Sequence, residues 1–198
     1  HDGSAGATIA TGATGLAINT DTITVSSANS TDPVMILKNT NTDANGARLR
    51  FVKDAGEAGA DSDNIGVIEF YGDDAAQTQT VFAKIVAEVS EADDTDEAGK
   101  LSFYVAESDG TTTALAAGLV LEGEHATDGE VDVTIGAGTA STTTVAGDLK
   151  VTTNIILDDG GSLTEAGGTA ALTFDGSGNV TKIGQDSPSS ESSSSLME

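Results

Sequence analysis

TVFAKIVAEV, residues 80–89, alternates apolar and polar side chains along its length. Its apolar residues fall on one side of an extended chain, namely Val81, Ala83, Ile85, Ala87 and Val89, opposite Lys84 and Glu88. A period of two is typical of a strand with one buried face, because successive side chains of a strand point in opposite directions. The stretch therefore predicts a half-buried β-strand with a well specified register.

Four neighbouring stretches repeat this pattern, and acidic, Gly-rich segments separate them. They are ARLRFVKD (47–54), NIGVIEFYG (64–72), KLSFYVAES (100–108) and ALAAGLVLEG (114–123). The separating segments predict hairpin turns, since Gly and Asp tolerate the dihedral angles that turns need. No helical pattern lies between the strands. We therefore predict an all-β chain with an antiparallel, sandwich-like module over 33–123, opened by VMILKN (34–39).

Segments with few bulky apolar residues flank this module on both sides. Residues 1–32 are rich in Thr, Ala and Gly and predict a thin N-terminal β-stalk segment. Residues 124–184 alternate Gly-rich turns with short strands, of which the clearest are VDVTI (131–135), DLKVTTNIIL (148–157) and ALTF (171–174). They predict an intertwined shaft like a β-prism or triple β-helix. Residues 185–198 predict a Ser-rich linker or tail.

The composition supplies little material for a hydrophobic core. Of 198 residues, 37% are hydrophobic and 4% are aromatic, and Trp is absent. Ordering the backbone costs about 1–2 kcal/mol per residue, whereas burial returns about 25 cal/mol per Å² of apolar surface. We therefore expect strand faces to be buried between the chains of an obligate oligomer. Disorder is the alternative, chiefly at the C-terminal end.

The net charge and the cysteine count limit which binding partners and which class of protein the sequence allows. At −24, the chain lacks the positive surface that binding to nucleic acid or anionic membrane requires. No apolar run reaches the roughly 20 residues of a membrane span. Cysteine is absent, which excludes disulfides and thiolate metal sites.

The order of the strands resembles the tail-fibre proteins of tailed bacteriophages, especially those of aquatic phages. The resemblance covers residues 39–190 and includes TTTVAGDLKVTTNIILDDGG (142–161) and ALTFDGSGNVTKIGQDSPSS (171–190). It implies a homotrimeric fibre segment of an extracellular virion tail. Its partners would be other virion tail proteins and a glycan or protein of the host cell surface. The resemblance implies no catalytic residues.

Arg48 and Arg50 are the only arginines, and their spacing makes them point the same way from one strand. They are candidates for receptor or surface contact, because a guanidinium presents a planar fork of donors to a carbohydrate or carboxylate. Cross-strand pairing with Glu69 or Glu88 is the structural alternative, and we favour it.

Tyr71 and Tyr104 are the only tyrosines. An exposed pair of tyrosines can stack on sugar rings, which makes them further candidates for receptor contact. Packing within the module is the alternative that we favour, because a dedicated sugar-binding platform without any Trp is unusual.

No catalytic, cofactor-binding or metal-binding set emerges from the sequence. His125 has no second imidazole or thiol beside it and is expected in an exposed turn. The acidic clusters at 61–63, 73–74 and 91–97 offer oxygen ligands for Ca²⁺, but none has the EF-hand spacing, so we expect solvated turns and no cofactor. We expect no enzyme, since a polysaccharide depolymerase needs paired carboxylates in a groove.

These observations predict a structural fibre protein of a virion that positions or contributes to host-cell attachment. The alternative is a subunit of a cellular extracellular filament or surface layer, assembled by pairing of β-strands between protomers.

Overall fold

The computed structural model describes residue 18 and residues 20–124, 129–157, 162–164, 170–174, 177 and 179–183. These residues form strands, turns and irregular segments and no helix, which confirms the prediction of an all-β chain. The chain divides into two units, His1–Thr139 and Ala140–Glu198.

The first unit contains a five-stranded antiparallel sheet whose strands follow one another in chain order. The strands are β1 (Asn64–Asp73), β2 (Gln79–Glu91), β3 (Ala98–Ser108), β4 (Thr113–Gly123) and β5 (Val131–Ile135). The first four coincide with the alternating stretches that begin at residues 64, 80, 100 and 114, so the predicted antiparallel hairpins are confirmed there.

Aspartate side chains shape two of the hairpin turns. After β1, the Asp74 carboxylate accepts hydrogen bonds from the backbone N–H groups of Ala76 and Thr78, both at 2.8 Å. After β3, the Asp109 carboxylate accepts from the N–H groups of Thr111 and Thr112, both at 2.8 Å. Such bonds hold the chain in a turn, which is why Asp is common between strands.

The sheet extends beyond the module boundary that we predicted at Gly123. VDVTI was expected in the shaft, but it forms β5 and pairs with β4 from Leu119↔Ile135 to Gly123↔Val131. His125, which was expected in an exposed turn, lies between β4 and β5 and outside the described residues. VDVTI is therefore an edge strand of this sheet.

The described residues of the first unit form one sheet, whereas a sandwich would have two layers. Two predicted strands at its N-terminal side are wrong, because VMILKN and ARLRFVKD form no ladder. Val34, Met35, Ile36 and Leu37 are consecutive and all exposed, so they offer no single buried face. In ARLRFVKD, Phe51 lies against Gly66 of β1, on the side of the strand to which a side chain at Gly66 would point.

The second unit contains a three-stranded antiparallel sheet in the order β6 (Ser162–Thr164), β7 (Ala170–Phe174) and β8 (Val180–Ile183). ALTF is confirmed as a strand. DLKVTTNIIL was expected as a strand and forms none. The adjacent pair Ile155 and Ile156 breaks its alternation, and both side chains are exposed. Most of the predicted stalk (1–32) and all of the tail (185–198) lie outside the described residues.

Candidate interaction surfaces

One face of the five-stranded sheet consists of unbroken apolar rows. The central row crosses every strand and contains Ile68, Ile85, Phe103, Leu119 and Ile135. The row on one side contains Gly66, Ala87, Leu101, Leu121 and Val133, and the row on the other contains Phe70, Ala83, Val105 and Ala116. Residues opposite each other in a ladder share a face. These rows are called the apolar face below.

The apolar face is open except at Gly66, where Phe51 lies against it. Exposed fractions reach 51% for Phe70, 56% for Val105 and 59% for Ile135, and no residue of the three rows is buried. Isolated exposed apolar side chains are ordinary on protein surfaces, but a contiguous patch of this kind marks an interaction site or an aggregation hazard. The apolar face is therefore the first candidate interaction surface.

The opposite face, called the polar face below, has charged rows on both sides of a smaller apolar row. Its middle row contains Val67, Val86, Ser102, Val120 and Thr134. Val86 and Ser102 are 5% and 1% exposed and are the only described residues that are buried. Both lie between rows of long charged side chains, whose stems can cover apolar surface while their ends remain in water.

The charged rows of the polar face are internally paired. In one row, Lys100 lies between Glu88 and Glu122 and forms an ion pair with Glu88 at 3.8 Å. The Glu122 carboxylate accepts a hydrogen bond from the Ser90 hydroxyl. In the other row, the Lys84 ammonium lies 4.6 Å from the centre of the Tyr104 ring, a cation–π contact.

The two tyrosines singled out in the sequence share the polar face. Tyr104 is half-buried beside Lys84, so packing accounts for it. Tyr71 is 56% exposed and its hydroxyl donates to Glu69 at 3.2 Å. The charge of Glu69, more than partial burial, raises the pKa of Tyr71 above its ordinary value. Tyr71, Glu69, Lys84 and Tyr104 form the second candidate surface, the tyrosine patch.

The two arginines do not join the tyrosine patch. Arg48 and Arg50 are exposed in the irregular segment before β1, and neither forms an ion pair with any described residue. Cross-strand pairing with Glu69 or Glu88 was wrong, since Lys84 and Lys100 lie opposite those glutamates. The guanidinium groups remain candidates for surface contact.

The segment that follows the arginines is attached to the start of β1. A Cβ atom on Gly66 would lie 2.8 Å from the Cβ of Phe51, so the absence of a side chain at Gly66 admits the Phe51 ring. Lys53 forms an ion pair with Asp63. Hydrogen bonds from Lys53 and from the backbone of Ala60 lower the pKa of Asp63. A cleft remains between this segment and the strands, lined by Phe51, Lys53, Asp63, Ile65 and Val89 among others.

No metal site or membrane-spanning helix is found in the described part of the chain. Across those residues, no three His, Cys, Asp or Glu side chains come together in a way that could hold a metal ion. Likewise, no helix there has the length and hydrophobicity needed to cross a bilayer.

Register is the information that sequence reasoning lacked. The alternation within each strand already indicated one apolar side, but aligning the apolar sides into rows requires the pairing between strands. The bulges in β2 and β4, between the pairs Phe70↔Ala83 and Tyr71↔Val81 and between Phe103↔Leu119 and Tyr104↔Ala117, could not be located from single-strand patterns.

Comparison with known proteins adds no relative: no protein-family model matches the chain, and no curated protein matches it at a significant level.

Proposed function

We propose that this chain is a structural protein of a multi-chain β-fibre, a homotrimeric segment of a virion tail that positions or contributes to host-cell attachment. The observation that carries the proposal is the open apolar face. A chain that leaves its largest apolar surface uncovered needs a partner surface, and a fibre of identical chains supplies one.

Energetic considerations favour an assembly over a lone chain. Among the described residues, only Val86 and Ser102 are buried. Burial within one chain therefore offsets little of the backbone entropy lost on folding. A single sheet whose larger apolar face stays in water also forgoes the stabilisation of about 25 cal/mol per Å² that burial of that face would supply. Burial between chains adds apolar area without needing more core residues in each chain.

Segments outside the sheet point in the same direction. Ile156 is 89% exposed and Met35 is 76% exposed, both within stretches rich in β-branched or long apolar residues. Such stretches gain ladder and packing partners when chains wind around one another. This reasoning supports the intertwined shaft, and the resemblance of residues 39–190 to phage tail fibres supports the virion setting.

The surfaces available for attachment are the polar face and the irregular segment before β1. The tyrosine patch and the exposed Arg48 and Arg50 present aromatic faces, carboxylates and guanidinium donors to solvent. These groups are suited to a host glycan or protein. A catalytic role is not proposed.

Sedimentation velocity tests the proposal. The expected species has the mass of three chains and a high frictional ratio, as an elongated trimer requires. A single species with the mass and frictional ratio of one compact chain would contradict the proposal.

A cellular filament assembled by strand pairing is the second candidate function. The observation that favours it is the open sheet, in which β1 and β5 are edge strands with no further strand beside them in the described part of the chain. Open edges can template pairing with another chain. Negative-stain images separate the two functions, because a phage fibre has a fixed length whereas a filament grows with protein concentration.

A further inference from the structure

We infer that the apolar face packs against the apolar faces of the other copies of this chain in the trimer, leaving the polar face in solvent. The inference rests on the proposed assembly and specifies which surface of the sheet makes it. It concerns the sheet of the first unit alone.

The size of the apolar face suits a stable protein interface. Five strands spaced about 4.8 Å apart, and four rows spaced about 6.8 Å apart when Val89 and Val131 are included, span about 24 by 27 Å. This planar area of about 650 Å² approaches the roughly 800 Å² that each partner contributes to a standard interface. The pleated side chains add accessible area beyond the planar value.

Charge identifies the occupant as another copy that presents this same face. The three apolar rows contain no charged side chain, whereas the polar face carries Glu69, Glu88, Glu122 and Asp132. Two chains of net charge −24 repel each other at most approaches. Contact through the apolar faces brings no carboxylates of those rows together and removes the exposed apolar patch from every chain of the assembly.

The undescribed ends of the same chain are poor alternatives for covering this face. Residues 184–198 contain Leu196 and Met197 as their only large apolar side chains, and residues 1–17 contain Ile9 and Leu16. The central row alone presents five large apolar side chains.

Two adjacent residues of β5 give a matched test. Ile135 and Thr134 are both exposed, lie on the edge strand, and point to the apolar and polar faces respectively. Ile135→Asp would bury an unpaired carboxylate in the apolar interface, which costs several kcal/mol. Because each 1.4 kcal/mol is a factor of ten, we expect the dissociation constant of the assembly to rise about 100-fold or more. Thr134→Asp adds the same charge outside the interface and is expected to leave assembly within about threefold.

Thiol protection gives a second readout that introduces no charge. The chain contains no cysteine, so Ile135→Cys and Thr134→Cys each create one unique thiol. In the assembled protein, we expect an alkylating reagent to modify the Cys at position 135 at least about tenfold more slowly than the Cys at position 134. In urea the two rates should become equal.

The outcomes are distinguishable. An assembled protein in which both Asp variants still associate and both thiols react equally would overturn the inference while leaving the proposed fibre intact. A monomeric wild-type chain would overturn both. If the chain is monomeric but the thiol at position 135 is protected, the face is covered by another part of the same chain, and the inference is wrong. If Ile135→Asp unfolds by circular dichroism, Ile68→Asp against Val67→Asp repeats the test on β1, where the wild-type residues are 39% and 42% exposed.

Discussion

Val86 on β2 and Ser102 on β3 lie directly opposite each other and are the two buried residues of the described chain, yet both belong to the polar face. The ten large side chains of the apolar face remain exposed or half-exposed in the single chain. The chain thus protects its smaller apolar row by itself and leaves the larger one open to a partner.

This contrast predicts the relative cost of two truncations. Val86→Ala removes two methyl equivalents from a buried site, so it should cost about 1.5 kcal/mol of unfolding free energy at about 0.8 kcal/mol per CH₂. Phe70→Ala should cost more, about 3 kcal/mol, because assembly buries its ring. Urea unfolding at two protein concentrations checks both values. A Phe70→Ala cost below that of Val86→Ala at high concentration would show that the ring stays exposed.

Gly66→Ala is expected to strain the contact between β1 and the preceding segment. Its new Cβ would lie 2.8 Å from the Cβ and 2.9 Å from the Cγ of Phe51. Overpacking of this kind costs about 1–3 kcal/mol. Combining it with Phe51→Gly, which removes both of those atoms, should recover most of the loss, measured as a coupling energy in a double-mutant cycle. Gly59→Ala is the control, since nothing lies within 4 Å of a Cβ at Gly59. Additive single effects would contradict the contact.

Thr95→Gly is expected to stabilise the turn between β2 and β3. Thr95 has φ of +74°, a left-handed conformation that β-branched residues rarely adopt. Relieving a strain of about 1–2 kcal/mol outweighs the added flexibility of glycine in the unfolded chain, about 0.5–1 kcal/mol. The urea midpoint should therefore rise. Thr78→Gly, at a turn position without positive φ, should lower it, and a fall in both variants would refute the strain argument.

Acid should remove a contribution of Asp109 to stability. Hydrogen bonds from the N–H groups of Thr112 and Thr111 and from the Thr111 hydroxyl hold the pKa of Asp109 well below its ordinary value of 3.8. A lowered folded-state pKa stabilises the fold above the unfolded-state pKa, and this contribution is lost as pH falls through the folded-state value. Asp63 should behave in the same way through Lys53 and Ala60.

Thermal unfolding of wild type and Asp109→Asn between pH 7 and pH 2 measures this effect. The melting temperature of the wild type should exceed that of the variant at neutral pH, and the difference should shrink below about pH 4, where free aspartates become protonated. Comparing the two proteins cancels the titration of the other carboxylates. A difference that stays constant with pH would show that Asp109 acts only through its shape.

The sequence was sufficient to predict the strands from β1 to β4, because each combines strict alternation with flanking turn residues. It was not sufficient to identify which alternating segments pair. ARLRFVKD alternates as well as KLSFYVAES does, but it forms no ladder and its Phe51 lies against Gly66 of β1, while Leu101 and Phe103 lie within the sheet. Pairing depends on contacts between distant residues, which the pattern of one segment does not contain.

The candidate sites, like the strands, could be predicted from the sequence only in part. Tyr71 and Tyr104 could be singled out by their rarity, but the cation–π contact that accounts for Tyr104 depends on Lys84 of the neighbouring strand. Arg48 and Arg50 were expected opposite glutamates because the segment was taken to be a strand. The apolar face emerged only when five separate alternations were aligned by register.

Light scattering of the eluting protein during size-exclusion chromatography, repeated over a hundredfold dilution, tests assembly of the chain into a trimer most directly. The expected mass is near 59 kDa, three times the 19.7 kDa of one chain, and it falls only at the lowest concentrations. A folded species of 19.7 kDa at every concentration would contradict it.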